Sequence, residues 1–495
     1  MSASTAITPV DSYQSGAAPT IWNDATAETV ERLRLVSSFA PAPGLTAGNF
    51  LSDAYGAERF YWAEPAGREP LILAGRGIAA EVRVAPVLEG GDGPAGLPGY
   101  RFEEVQDLAR RLFAGAILES AEQGATDVSN NHPAQPRLFG GFAFQDDFTP
   151  DNTWSVFSPA QFILPHFQFT QAGGVTYLTA NALIPADDDP AEHLPGLREA
   201  LMTRLAAVAP SPLRHPGRLR LSTPLSYEAW GDMLAAAGAA IAGGRLEKVV
   251  LARVCEARAE AAIDTAAALP YLNEHYADCY RFLFEPLPHH TFFGATPELL
   301  IAKQGDHITT MALAGSVARG RSVTEDEALA HQLLTSTKDL HEHQLVVAAI
   351  SRQLAEPTDE LTVPAAPVVL RLRNIQHLLT PITGRLHSPA TGILPLVRLL
   401  HPTPAMGGVP VGEALAFLRR AEPAPRGWYA APIGWLDSHG DGVFAVAIRS
   451  AVTQHERAWL YAGAGIVADS IAEREWTETQ LKFRPMLGAL GVEDN

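Results

Sequence analysis

The chain is built mostly from short apolar runs broken by glycine, proline and polar residues, and only in places does the spacing lengthen to that of a helix. Over residues 59–86 the segments FYWAEP, LILAGRGIA and VRVAPV alternate aromatic and aliphatic residues between Gly/Pro breaks, which predicts consecutive strands. FGGFAF at residues 139–144 and the stretch 162–178 repeat that signal, whereas residues 102–119 carry helical spacing. A helix signal begins near Asn23, and residues 1–22, small, polar and dotted with proline, read as a mobile tail.

Residues 207–217 (AVAPSPLRHPG) are rich in proline and small residues and predict a connection between an N-terminal part, 23–206, and a second region, 218–490. Beyond it, residues 227–243 predict an alanine-rich helix and residues 248–255 (KVVLARVC) a buried strand. Further strands are expected at 292–293, 299–303 and 443–451. Ser322 and Glu325 stand at capping-box spacing before a helical pattern that runs to Leu354. Strands with hairpin-like gaps, interrupted by a few long helices and with no internal repeat, point to an α+β fold rather than a doubly wound one.

Composition narrows the function. With 495 residues, 47% of them hydrophobic and 19% charged, the chain can bury a large core as one big domain or two to three ordinary ones. A formal charge of -18 argues against nucleic acid or anionic lipid as partners, because the summed field repels both. Cys255 and Cys279 are the only cysteines, too few for a disulfide framework and without CxxC spacing for zinc, which fits a reducing cytoplasm. The first residues, MSASTAITPVDSYQSG, lack a secretory pattern, and no segment reaches 18 uninterrupted apolar residues, so secretion and membrane insertion are not expected.

Several residues can carry chemistry. Lys248 starts the apolar run VVLARV, where an ammonium is partly desolvated and can become a base, or is simply a surface lysine at a strand end. Glu298 follows a Gly-Ala-Thr-Pro turn in FFGATPELLI and reads either as a raised-pKa acid or as an ordinary turn glutamate. Glu342, in STKDLHEHQLVV, and Glu475 with Glu478, in EREWTETQLKF, lie on helices and suit a hard, oxygen-preferring cation such as magnesium. The plain alternative is a solvated face with Glu478 and Lys482 as an i,i+4 pair. Gly463 and Gly465 in YAGAGIVADS follow an apolar run, an arrangement that lets backbone N–H groups converge on an anion. Arg449 ends the run VFAVAIRSA and needs a carboxylate or phosphate, either from a ligand or from a structural ion pair.

Together these segments resemble the chorismate-binding family, which includes isochorismate synthase, salicylate synthase, anthranilate synthase component I and aminodeoxychorismate synthase. The matching blocks are EKVVLAR, FFGATPELL, ALAGSVARG, STKDLHEHQLVV, IQHLLTPITGRL, LHPTPAMGG, RGWYAAPIGW, DGVFAVAIRSA and YAGAGIVADSIAEREWTETQLKF, in the family's order over residues 247–486, with FYWAEP and FGGFAF as a looser extension. Isochorismate and salicylate synthases of the family have lysine where Lys248 stands, whereas anthranilate synthases typically have glutamine. Aminodeoxychorismate synthases have a nucleophilic lysine at the position of Ala314. Both ammonia-using branches are thus disfavoured, and no glutamine amidotransferase subunit is expected.

The resemblance implies one large α+β domain, two packed antiparallel β-sheets with helices outside. It implies an isomerase that converts chorismate to isochorismate, in menaquinone or siderophore biosynthesis. Lys248 would deprotonate a water that attacks ring carbon 2, and Glu298, fifty residues on, would protonate the hydroxyl leaving carbon 4. It implies Mg2+ held by Glu342 and Glu478, with Glu475 as a further or outer ligand, beside Lys482 and the backbone at Gly463. Arg449 and Tyr429 would hold the enolpyruvyl carboxylate, and Gly315, Ser316, His377 and Ala405 would line the ring pocket. Salicylate synthase, which goes on to eliminate pyruvate, and a non-catalytic aromatic-acid-binding paralogue are the alternatives.

Overall fold

Two long strands, Ile72–Val84 and Ala160–Ala172, pair antiparallel over most of their length and form a spine from which the sheet branches. The computed structural model describes residues 20–22, 32–67, 70–84, 99–122, 132–209 and 211–492. From Ile72–Val84 one arm runs through Arg59–Ala63, Tyr280–Leu287, His290–Thr296, Ser450–Gln454 and Arg457–Ile466 to Lys248–Ala259, every neighbour antiparallel. From Ala160–Ala172 a second arm runs through Leu138–Phe142, Pro432–Leu436, Gly442–Val446, Leu299–Gln304 and His307–Ala318 to Ile375–Leu386, again antiparallel. Among the described residues all 22 strands belong to one hydrogen-bonded network. Two pairings in it are parallel, Thr20–Trp22 with Ile72–Val84 and Leu33–Pro41 with Ile117–Ser120.

The arms share an aromatic core in which Trp62, Phe284 and Phe292 from strands of the first and Phe139 and Trp435 from strands of the second meet Trp154 and Trp428 from turns. Each of these rings, when buried, stabilises the fold by roughly 1.5–3 kcal/mol or more, so this core helps to bind the arms together. Helices Pro190–Ala207, Leu269–His275 and Ala472–Ala489 pack in one outer cluster, and Tyr100–Phe113, Thr337–Leu354 and Ile393–Leu400 in another. The architecture is α+β, two antiparallel arms with helices outside, as the sequence implied.

The differences from the sequence reading have local causes. The expected helix at 102–119 stops at Phe113, and Ile117–Ser120 leaves it to pair with Leu33–Pro41. The strand expected over 162–178 is a hairpin, Ala160–Ala172 and Val175–Pro185, turned by Gly173 and Gly174 with positive φ. The long helix from Ser322 to Leu354 is two, Val323–Thr335 and Thr337–Leu354, because Ser336 leaves helical geometry and caps the second through the Asp339 N–H. The expected tail ends sooner, since Thr20–Trp22 is a strand; residues 1–19 and the helix signal near Asn23 lie outside the described residues. Residues 211–218 carry no regular element, and ladders such as Arg59–Ala63 with Tyr280–Leu287 join strands from either side of them. Among the described residues no helix is long and apolar enough to cross a membrane.

Candidate active site

The chain passes from one arm to the other at two adjacent corners. His290–Thr296 belongs to the first arm and Leu299–Gln304 to the second, and Pro297 and Glu298 alone connect them. Proline has no N–H to continue the ladder, and the Glu298 N–H turns back to Thr296 Oγ1 at 3.2 Å, which ends the strand there. Gly442–Val446 and Ser450–Gln454 are linked by the second corner, Ala447 to Arg449, with Arg449 at φ 50°. The single strand expected over 443–451 is therefore split at the residue whose side chain was expected to bind an anion. A non-glycine residue in that region costs roughly 1 kcal/mol or more, and the ladders on both sides hold it there.

Glu298 is 3% exposed. Burial pushes its carboxyl up to about 8, against the opposing pull of Lys248, Arg449 and Lys482, so it is an acid at neutral pH. Lys248 opens the strand Lys248–Ala259, where strand alternation sends Val249 and Leu251 into the aromatic core and leaves Lys248 and Val250 on the cavity wall. It is 1% exposed. Its Nζ lies 2.7 Å from Glu342 Oε1, a partner the sequence reading did not give it.

Both residues line one cavity of about 720 Å3, and so do Gly315, Ser316, Glu342, His377, Ala405, Tyr429, Arg449, Gly463, Glu475, Glu478 and Lys482. Each residue singled out in the sequence is therefore brought to the same space. Asp339 and Lys338, which the sequence reading did not single out, line it too. Asp339 lies three residues before Glu342 on one helix, a spacing that marks a shared face and was available as a signal.

Lysines answer the carboxylates. Besides Lys248 with Glu342, Lys482 Nζ meets Glu478 Oε1 at 2.6 Å and Lys338 Nζ meets Glu475 Oε1 at 3.8 Å. The i,i+4 pair that was the plain alternative for Glu478 and Lys482 is thus present, but inside the cavity. Burial and then the nearby Glu478 push the Glu475 carboxyl up to about 7. Asp339 is also raised, by burial first and then by the neighbouring Glu342 and Glu478, against the Ser336 hydrogen bond, while Glu342 falls below its usual value because burial, the largest single effect, is outweighed by Lys248, Lys482 and Lys338 together. Among the described residues no three carboxyls converge as a ready-made metal site in this arrangement. The donor set, carboxylates from two helices, has the all-oxygen chemistry that suits magnesium.

The glycines make room. Gly465 lies opposite Val250 in the ladder, and a Cβ there would stand 2.9 Å from Glu342 Oε1 and 3.0 Å from Lys248 Cε. Gly463 and Gly465 lie within the strand Arg457–Ile466, and the Gly463 carbonyl accepts from Lys482 Nζ at 2.8 Å.

Arg449 is 6% exposed, and among the described residues no carboxylate lies within ion-pair distance of its guanidinium. Its hydrogen-bond partner is His377 Nε2, at 3.3 Å. Burial lowers its pKa, an unanswered cost that an anionic ligand would remove. Tyr429 stands in the same wall, stacked on Tyr461 with ring centroids 5.1 Å apart. Burial pushes its hydroxyl up to about 12, so it is a donor at neutral pH.

A buried acid, a lysine, several acidic side chains and a buried cation around one cavity, built where two antiparallel arms exchange strands, define an acid–base enzyme for a small anionic substrate. Residues 22–491 match the family of chorismate-binding enzymes, and the chain belongs to that family. It is 33% identical over 447 residues to the isochorismate synthase MenF of Bacillus subtilis (strain 168), covering 90% of either chain. It is 37% identical over 402 residues to the salicylate biosynthesis isochorismate synthase of Pseudomonas aeruginosa, covering 79% of each. The solved structure of MenF, the menaquinone-specific isochorismate synthase of Escherichia coli, superposes with a TM-score of 0.73 at 26% identity, covering 93% of this chain and 95% of that one.

Proposed function

We propose that this chain is an isochorismate synthase, which adds water to carbon 2 of chorismate and releases the hydroxyl of carbon 4, with Mg2+ as cofactor. The observation that carries the reading is Glu298 held as a neutral acid, up to about 8, in the same cavity as Lys248. The relatives' names support the same reaction.

Once Glu342 has turned from it and its ammonium has given up one proton to solvent, the neutral Lys248 amine takes a proton from the attacking water as the new C–O bond forms at carbon 2. The ring double bonds shift, the bond from carbon 4 to oxygen breaks, and Glu298 gives its proton to the departing hydroxyl. Lysine ends protonated and glutamate ionised, and exchange with solvent restores both. Proton transfers of this kind contribute about 10² to 10⁴ in rate each. Arg449 and the Tyr429 hydroxyl orient the enolpyruvyl carboxylate, and the aromatic core behind them excludes bulk water. Glu342 and Glu478, with Glu475 beside them, would hold the magnesium ion. When bound, it would anchor and neutralise the ring carboxylate.

NMR identification of the product from chorismate and magnesium is the test. Isochorismate alone supports the proposal, salicylate with pyruvate replaces it by salicylate synthase, and unchanged chorismate overturns it. Glu478→Ala is expected to weaken magnesium and chorismate together, and an unaltered magnesium titration would remove that residue from the metal set.

A further inference from the structure

Ser316, His377 and Arg449 form a line whose direction is fixed by chemistry. Arg449 Nη2 lies 3.3 Å from His377 Nε2, and a guanidinium has only donors, so this nitrogen accepts. His377 Nδ1 lies 3.3 Å from the Gly315 carbonyl, which only accepts, so Nδ1 carries the hydrogen. Two partners thus select the same neutral tautomer independently. A second proton on the ring would set an N–H against the Arg449 N–H. Burial, with Arg449 and Lys482 near, holds the imidazole well below its usual pKa, in keeping with that geometry.

The same Nδ1–H reaches Ser316 Oγ at 2.9 Å. The serine oxygen receives that hydrogen, which turns its own hydrogen away from the ring. Ser316 and Arg449 both line the cavity. We propose that His377 is a positioning residue that couples Arg449 to Ser316, so that the serine hydroxyl is set as a donor toward an oxygen of the anion that Arg449 binds. This rests on the cavity being the chorismate site. His377 takes no proton in the reaction. The device also selects its ligand, because a substrate bearing an N–H where that oxygen belongs would meet a donor with a donor.

Nitrogen-15 spectra of the full chain labelled at histidine test the tautomer without any ligand. The His377 signal, assigned by its loss in His377→Asn, is expected to show a protonated Nδ1 and a bare Nε2 from about pH 6 to pH 9. A protonated Nε2, or titration within that range, overturns the proposal. In kinetics, Ser316→Ala and His377→Gln are each expected to raise KM for chorismate about 10- to 100-fold. If histidine acts through serine, the double variant is no worse than the worse single one. His377→Asn, whose amide N–H stands near the place of Nδ1–H, should recover much of the loss, whereas additive losses or no recovery would overturn the coupling. Failure of the folded wild type to bind chorismate would instead sink the functional reading, and the nitrogen spectrum would still judge the tautomer.

Discussion

Glu298 and Arg449 occupy neighbouring crossings between the two arms and are laced together through the backbone. The Ala295 N–H donates to the Arg449 carbonyl at 3.1 Å, and the Val446 N–H donates to the Glu298 carbonyl at 3.0 Å. An acid and an anion-binding cation are thus held in fixed relation by main-chain bonds, and substituting either side chain leaves the corner that carries it in place.

Glu298→Gln should therefore fold and bind chorismate while turnover falls about 10² to 10⁴-fold. It should also gain stability. The native chain holds a proton that the unfolded chain releases between the ordinary value of 4.5 and about 8, so wild-type stability drains away as pH rises through that window. Glutamine has no such proton, and by pH 7 the variant is expected to be more stable on the order of 2–3 kcal/mol. Urea midpoints measured from pH 5 to 8 check this, and parallel curves for the two proteins would contradict it.

The same acid sets an alkaline limit on catalysis. In the free enzyme kcat/KM for chorismate should decline as pH rises past about 8, where Glu298 loses the proton it must give. A flat profile up to pH 9, or a decline that persists in Glu298→Gln, would assign the proton to another group.

Lys248 and Glu342 are each other's buried partner at 2.7 Å. Lys248→Met leaves the carboxylate without an ion pair and is expected to destabilise the magnesium-free protein by roughly 3 kcal/mol as well as abolish turnover. Adding Glu342→Gln should restore most of the stability and none of the activity. Thermal denaturation of both variants, with chorismate assays alongside, separates the two roles.

Gly465→Ala tests the room left beside that pair. Its Cβ would press on Glu342 Oε1 at 2.9 Å and Lys248 Cε at 3.0 Å, both ends of flexible chains, so the fold should survive. The expected result is at least a tenfold loss in kcat with an unchanged melting temperature; wild-type turnover would mean that the placement of these two side chains is not critical.

Arg449→Lys replaces a planar fork by a point charge at a site tied to His377. KM for chorismate should rise about 10- to 100-fold, with a smaller effect on kcat. An unchanged KM would place the substrate carboxylate elsewhere.

Much of this was legible in the sequence, and the failures have a common cause. The strand at Lys248, the sharp turn before Glu298 and the serine cap at Ser322 are local patterns, and the structure has each of them. The ordered blocks shared with a known family placed the remaining cavity residues, which spacing alone left level with surface salt bridges and turn glutamates. What could not be read depends on neighbours far along the chain. The run 443–451 is uniformly apolar, yet it divides at Arg449 because the two halves pair in different arms. The carboxylate partner of Lys248 lies on a helix nearly a hundred residues away, and the unpaired state of Arg449 is a property of the assembled cavity.

The two crossings also govern how the enzyme comes into being. Glu298 meets Val446 and Arg449 meets Ala295 only after both arms have zipped, so no early hairpin or isolated half can carry a rudimentary pocket. Catalytic competence should emerge at the end of folding, together with the last ladders.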